Sequence, residues 1–164
     1  GTAVGCMYGL TLEQIKQGIE TLQSVSGRFH IIETGKYTVV DDCYNANPVS
    51  MKASLDVLKE AKGRKVAVLG DMGELGAESV EGHRETGRAA ARAGVGLLVC
   101  VGEAAADIAA GALEAEMPEG RIVRVADADE AVRALEGKID SSDVVLVKAS
   151  HFMHLDRVVE GIIA

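Results

Sequence analysis

The chain has 164 residues, enough for one compact domain with a real hydrophobic core. Apolar residues make up 48% and charged residues 26%, which excludes disordered classes; with 3% aromatics and no Trp, the core must be built from Val, Ile, Leu and Ala. A formal net charge of −8 argues against nucleic acid or an anionic membrane as the main partner, although backbone N–H groups can still make a local anion site.

Residues 1–10 are small and apolar. Thr11 to Leu22 then reads as a helix: Thr11 with Gln14 fits a capping box, and Leu12, Ile15, Ile19 and Leu22 recur at helical spacing. Ser24-Val25-Ser26-Gly27 breaks that pattern like a linker. An apolar helical stripe followed by a break predicts that 1–26 is the tail of a preceding domain and its linker, and that 27–164 is a separate domain. Arg28–Thr34 and Tyr37–Asp41 read as strands of a hairpin turning at Gly35-Lys36. Asn47–Ala61 reads as a helix, with Asn47 as its cap and Pro48 in its first turn.

From there strands and helices alternate. The strands are Lys65–Leu69, Leu97–Val101, Arg121–Val125 and Asp143–Val147; the helices are Ser79–Ala93, Glu103–Glu116, Asp129–Leu135 and Met153–Ile163. The near-continuous apolar strands predict an α/β fold, a mostly parallel sheet covered on both faces, with an antiparallel strand contributed by the N-terminal hairpin. Cys6, Cys43 and Cys100 have no metal-like spacing and read as buried reduced thiols of a cytoplasmic protein. Nothing in the sequence looks like a signal peptide or a membrane span.

Ligands of open α/β sheets bind beyond the carboxyl ends of the strands. That rule selects four segments: Asp41–Asn47, Gly70–Gly76, Gly102-Glu103 and Lys148–His151. The first is the densest, with two carboxylates, two carboxamides and a phenol. A carboxylate there can accept two hydroxyls, as ribose recognition requires; Asn47 reads equally as a helix cap. The Gly70–Gly76 loop has neither the GxGxxG spacing of a dinucleotide site nor the Lys-Ser/Thr of a P-loop. A Lys at a core strand end, Lys148, points to a functional or ion-paired role, and Ser150 reads as a helix cap or a ligand contact. A Ser150-His151 hydrolase pair is disfavoured, because adjacent residues at a strand end rarely face each other. His83 and Arg84 read as exposed polar residues, and His30 and His154 as structural. The four histidines are scattered, which points away from a metal site made by this chain alone.

The residues reached so far resemble one family, the Mur ligases. Val25-Ser26-Gly27-Arg28-Phe29 is similar to the linker that leads into their third domain. Val39-Val40-Asp41-Asp42-Cys43-Tyr44-Asn45-Ala46-Asn47-Pro48 with Ser50-Met51 closely resembles the signature of the D-alanyl-D-alanine-adding branch. Val68–Gly76, His83-Arg84-Glu85 and Val147-Lys148-Ala149-Ser150 follow in matching order. The resemblance implies a Rossmann-like three-layer sandwich, the C-terminal domain of a ligase of peptidoglycan synthesis. Such a ligase uses ATP and Mg²⁺ to convert the carboxylate of UDP-N-acetylmuramoyl-tripeptide to an acyl phosphate, which the amine of D-alanyl-D-alanine attacks. It implies Arg28 near the ATP phosphates, Asp42 on the ribose hydroxyls, and Tyr44, Asn45 and Asn47 lining the nucleotide side. Asp71, Lys148 and Ser150 would face the amine acceptor, with Arg28 and Lys148 as the candidate catalytic residues. Many relatives carry Arg where this chain has His151. No Gly-Lys-Ser/Thr occurs in the chain, so it is expected to fold alone without ligase activity. The implied protein is a cytoplasmic monomer without membrane insertion. Two other classes compete. A phosphoryl-receiver domain needs an Asp at the end of the Leu97–Val101 strand, where Gly102-Glu103 stands. A non-catalytic nucleotide-binding module of the nicotinamide type would carry GxGxxG.

Overall fold

The computed structural model describes residues 11–20 and 27–164. Helix α1 (Leu12–Glu20) opens on the expected capping box: Thr11 N donates to Gln14 Oε1 at 2.9 Å, and Gln14 N donates to Thr11 Oγ1 at 3.2 Å. Cys6, residues 1–10 and most of the expected linker, Val25 and Ser26 included, lie outside the described residues.

A six-stranded sheet follows, built from β1 (His30–Glu33), β2 (Thr38–Asp42), β3 (Lys65–Gly70), β4 (Leu97–Val101), β5 (Ile122–Val125) and β6 (Val144–Lys148). Its order is β1-β2-β6-β3-β4-β5; β1 is antiparallel to β2 and the other neighbours are parallel, as the alternation predicts. The first strand is shorter than expected. Phe29 has a left-handed backbone, φ 52°, and pairing begins only at His30.

The side-chain period of two sorts each strand between two cores. Val40, Ala67, Leu69, Leu98, Cys100 and Leu146 face α2 (Pro48–Glu60), α3 (Ser79–Arg92) and α4 (Ala105–Glu114). Val39, Val66, Val68, Val99, Val145 and Val147 face α5 (Ala128–Leu135) and α6 (Asp156–Ile163). Buried Ala lets helix backbones come close. At the α3–α4 crossing, a Cβ on Gly87 would sit 1.9 Å from the Ile108 carbonyl oxygen, and one on Gly111 would sit 1.9 Å from that of Arg84. The last helix starts later than its pattern suggests. His151–Met153 form a 3-10 turn, and His154 takes a left-handed conformation, φ 49°, before Asp156 begins α6.

At the far end of the sheet Arg64 is paired with the buried Asp143 at 2.6 Å, and Asp140 N donates to the same carboxylate at 2.8 Å. Burial alone would raise the Asp143 carboxyl, but the Arg64 and Asp140 hydrogen bonds outweigh it and hold the group below the ordinary carboxylate range. A carboxyl depressed on folding contributes stability above its unfolded pKa of about 3.9, and that stability is lost as pH falls through the lower folded value. Arg64→Ala is therefore expected to flatten the acid limb of stability below the ordinary carboxylate range, about pH 4, in denaturant titrations; an unchanged slope would count against the pairing.

Among the described residues no helix is long and apolar enough to cross a membrane.

Candidate functional site

β6 lies between β2 and β3, and register does the rest: Lys148 is aligned with Asp42 on one side and Leu69 on the other. Asp42 and Lys148 continue the row of Val40 and Leu146, so both point to the α2 side of the sheet. Lys148 Nζ lies 2.7 Å from Asp42 Oδ2 and 2.9 Å from the Asn45 carbonyl oxygen, with 2% of its side chain exposed. Of the functional and ion-paired readings, the ion pair is what the structure displays. Ser54 Oγ, from the α2 stripe Met51-Ser54-Leu55-Leu58, also lies 2.7 Å from Asp42 Oδ2.

The preceding segment is tied to the same loop. Gly27 N donates to Asp41 Oδ2 at 2.8 Å, Phe29 N to Asp42 Oδ1 at 3.1 Å, and Tyr44 N to the Gly27 carbonyl at 2.8 Å. The adjacent Asp pair is thus divided between opposite faces: buried Asp41 serves the backbone, and Asp42 meets Lys148. Arg28 stacks over the Tyr44 ring at 3.9 Å to the centroid, a cation–π contact. Tyr44 meets His151 edge-on at 6.0 Å.

A cleft of about 370 Å³ opens above these groups. Gly27, Arg28, Phe29, Asp42, Tyr44, Asn45, Asn47, Ser50, Ala53, Ser54 and Lys148 line it. Every residue expected on the nucleotide side therefore falls in one place. Asn47 is also the α2 cap: its side chain accepts from Ser50 N at 2.9 Å, and Ser50 Oγ accepts from Asn47 N at 3.1 Å. A neighbouring hollow of about 360 Å³, lined chiefly by apolar side chains such as Ile31, Val57 and Leu146, has no comparable polar cluster.

Asp71 and Ser150 are not among the lining residues of that cleft. Asp71 Oδ1 accepts from Ala105 N at 2.7 Å, at the first residue of α4, and the Asp71 carbonyl accepts from Ser150 N at 3.1 Å. Ser150 Oγ accepts from Gly73 N at 2.9 Å and reaches the Ala46 carbonyl at 3.4 Å; it makes no side-chain cap to the turn that follows it. The Ser150 hydroxyl thus bridges the loops that follow β2 and β3. Gly70 is required by close approach, since a Cβ there would lie 2.7 Å from that of Ala149.

His83 departs from the expectation of an exposed residue: it is fully buried. Nδ1 lies 2.7 Å from the Ser79 carbonyl, and Met72 N donates to Nε2 at 3.0 Å. A donor on one nitrogen and an acceptor on the other define a neutral imidazole protonated at Nδ1. It props the Gly70–Gly76 loop from below. The available signal was its place on the α3 stripe with Gly87 and Ala90, both buried. Arg84 pairs with Asp107 and Glu114. Cys43 and Cys100 are buried free thiols; burial pushes both up, Cys100 to about 12. Among the described residues no group of three or more His, Cys, Asp or Glu is placed to hold a metal ion.

Fold and site together define an open α/β domain with a polar cleft beyond the carboxyl ends of its parallel strands. A family profile, Mur ligase, glutamate ligase domain, matches residues 27–151, and the chain belongs to this family. It is 37% identical over 183 residues to the UDP-N-acetylmuramoyl-tripeptide–D-alanyl-D-alanine ligase of Mycobacterium tuberculosis, covering 99% of this chain and 36% of that protein. The Bacillus subtilis ligase of the same name is 30% identical, over 98% of this chain and 36% of its own length. Among solved structures, the MurF ligase of Thermotoga maritima, in complex with ADP, superposes with a TM-score of 0.82 at 29% identity, covering 98% of this chain and 35% of that one. MurF from Acinetobacter baumannii gives 0.81 at 32% identity, over 99% of this chain and 35% of that one. The chain thus spans about a third of the length of these relatives.

Proposed function

We propose that this chain, with its domain at 27–164, is the C-terminal part of a longer ATP-dependent ligase that joins D-alanyl-D-alanine to UDP-N-acetylmuramoyl-tripeptide in cytoplasmic peptidoglycan synthesis. The carrying observation is the cleft at the end of β2. Arg28, Asp42, Tyr44, Asn45 and Asn47 converge there, in a chain 37% identical to a ligase of that name.

The chemistry suits such a domain. An acyl phosphate hydrolyses unless water is excluded before the amine attacks, and a domain that closes its strand-end loops over the nucleotide supplies that exclusion. Arg28 can leave the Tyr44 ring for a phosphate, where its guanidinium stabilises developing negative charge. Asp42 offers a hydroxyl acceptor on the nucleotide side. Asp71 and Ser150, beyond that cleft, form the acceptor side, and Lys148, at the end of β6 between β2 and β3, borders both. ATP supplies the activating phosphoryl group. The P-loop and the Mg²⁺ ligands belong to the central domain of the longer polypeptide, whose tail is 1–26. The ligase acts as a monomer.

The test is made on the full-length polypeptide encoded by the gene that carries this chain. Phosphate release from Mg-ATP should require both the UDP-linked tripeptide and the dipeptide, with pentapeptide product formed in equal amount. The 164-residue chain alone should form none. A folded full-length protein that couples ATP to a different amine, or ligation by the chain alone, would overturn the proposal.

A further inference from the structure

Three of the lone-pair positions on Asp42 are already taken. Oδ2 accepts from Lys148 Nζ and Ser54 Oγ, each at 2.7 Å, and Oδ1 accepts from Phe29 N at 3.1 Å. A carboxylate has about four such positions, so one remains, on Oδ1. The Asp42 side chain is 14% exposed, whereas Lys148 is at 2% and Ser54 is buried. Lys148 is further held by the Asn45 carbonyl and lies beneath the carboxylate.

We infer that Ser54 and Lys148 are positioning residues which fix Asp42 so that it receives a single ligand hydroxyl, and that the cleft reads one of the two ribose hydroxyls of its nucleotide. This rests on the nucleotide reading above and narrows it. A carboxylate open at both oxygens could take both hydroxyls, whereas here Oδ2 is held and only the position it aims on Oδ1 is open. A carboxylate no longer held at Oδ2 loses that aim. Lys148 also supplies a countercharge, so the same carboxylate repels an approaching phosphate less than a bare one would. Ser54 has a second partner for its proton, the Ser50 carbonyl at 3.0 Å, so its hydroxyl is satisfied whether or not it holds Asp42. Its bond to Asp42 is accordingly separable from folding.

The experiment compares ATP, 2′-deoxy-ATP and 3′-deoxy-ATP as substrates of the full-length ligase, wild type and Ser54→Ala. A hydrogen bond to a charged group corresponds to roughly a 10- to 100-fold preference. The wild type should show such a preference in kcat/KM against one deoxynucleotide and little against the other. Ser54→Ala should reduce it to about 3-fold or less through a higher KM for ATP at nearly constant kcat, with its melting temperature confirming the fold. A merely structural role would weaken all three nucleotides alike. Equal discrimination against both analogues, or an unchanged preference in Ser54→Ala, would overturn the inference. A wild type that ligates nothing with ATP would instead remove the functional reading on which it rests. Lys148 is a poorer probe, because its loss endangers the fold.

Discussion

Replacing Lys148 with methionine is expected to lower the stability of the chain by about 3–5 kcal/mol, the usual cost of removing one partner of a buried ion pair. Methionine fills a similar volume, so little of the loss comes from a cavity. The damage comes from Asp42, whose carboxylate keeps Ser54 and Phe29 N but loses the cation beside it. The Asn45 carbonyl loses its donor as well. An expected signature separates this cause from poor packing: Asp42→Asn added to Lys148→Met should recover part of the loss, because an amide needs no countercharge. Urea unfolding of the four proteins in that cycle measures the coupling. If the double variant is as unstable as the sum of the singles, the ion pair is not what Lys148 provides.

Gly87→Ala is expected to be comparably damaging for a purely steric reason. In an isolated helix this exchange stabilises by up to about 1 kcal/mol. Here the new methyl carbon would stand 1.9 Å from the Ile108 carbonyl oxygen and 2.6 Å from Ala112 N, both helix backbone, which has no rotamer to change. Gly111 meets the backbone of Arg84 just as closely, so α3 and α4 touch at two mutual points. Either the helices separate, opening the core under Ala90 and Ile108, or the sheet beneath them shifts. A net loss of about 3 kcal/mol is at the upper end of overpacking, and for a domain of this size it lowers the melting temperature by roughly 6–12 °C. Gly120→Ala is the control: nothing lies within 4 Å of its Cβ position, and its melting temperature should stay the same or rise. A neutral Gly87→Ala would mean that the crossing is looser than described.

The parallel sheet was legible because its strands are short apolar runs separated by amphipathic helices, and buried strands have few other ways to read. The cleft was legible as a segment, since Asp41–Asn47 follows a strand and holds groups that a core would not tolerate. The partners inside it were not. Asp42 and Lys148 are 106 residues apart, and only the insertion of β6 between β2 and β3 brings them together. Local pattern cannot rank strand orders. Ser54 carried a usable sign, a polar residue on the buried α2 stripe, as did His83 on that of α3. Histidine is amphipathic enough to read as exposed until its two backbone partners are seen. The misplaced edges, at Arg28-Phe29 and Met153–Leu155, lie beside residues with positive φ, for which Phe gives no warning and His only a slight one.

The bonds from Gly27 and Phe29 to Asp41, Asp42 and Tyr44 have a mechanical consequence. A rigid body turning about a pivot displaces each point in proportion to its distance from the axis. If the domain swings about the point where the chain enters it, the floor under Arg28 and Asp42 stays nearly still. Parts of the domain farther from that point travel along wider arcs. One rotation could then keep its grip at the hub while the outer edge opens to admit or release a molecule.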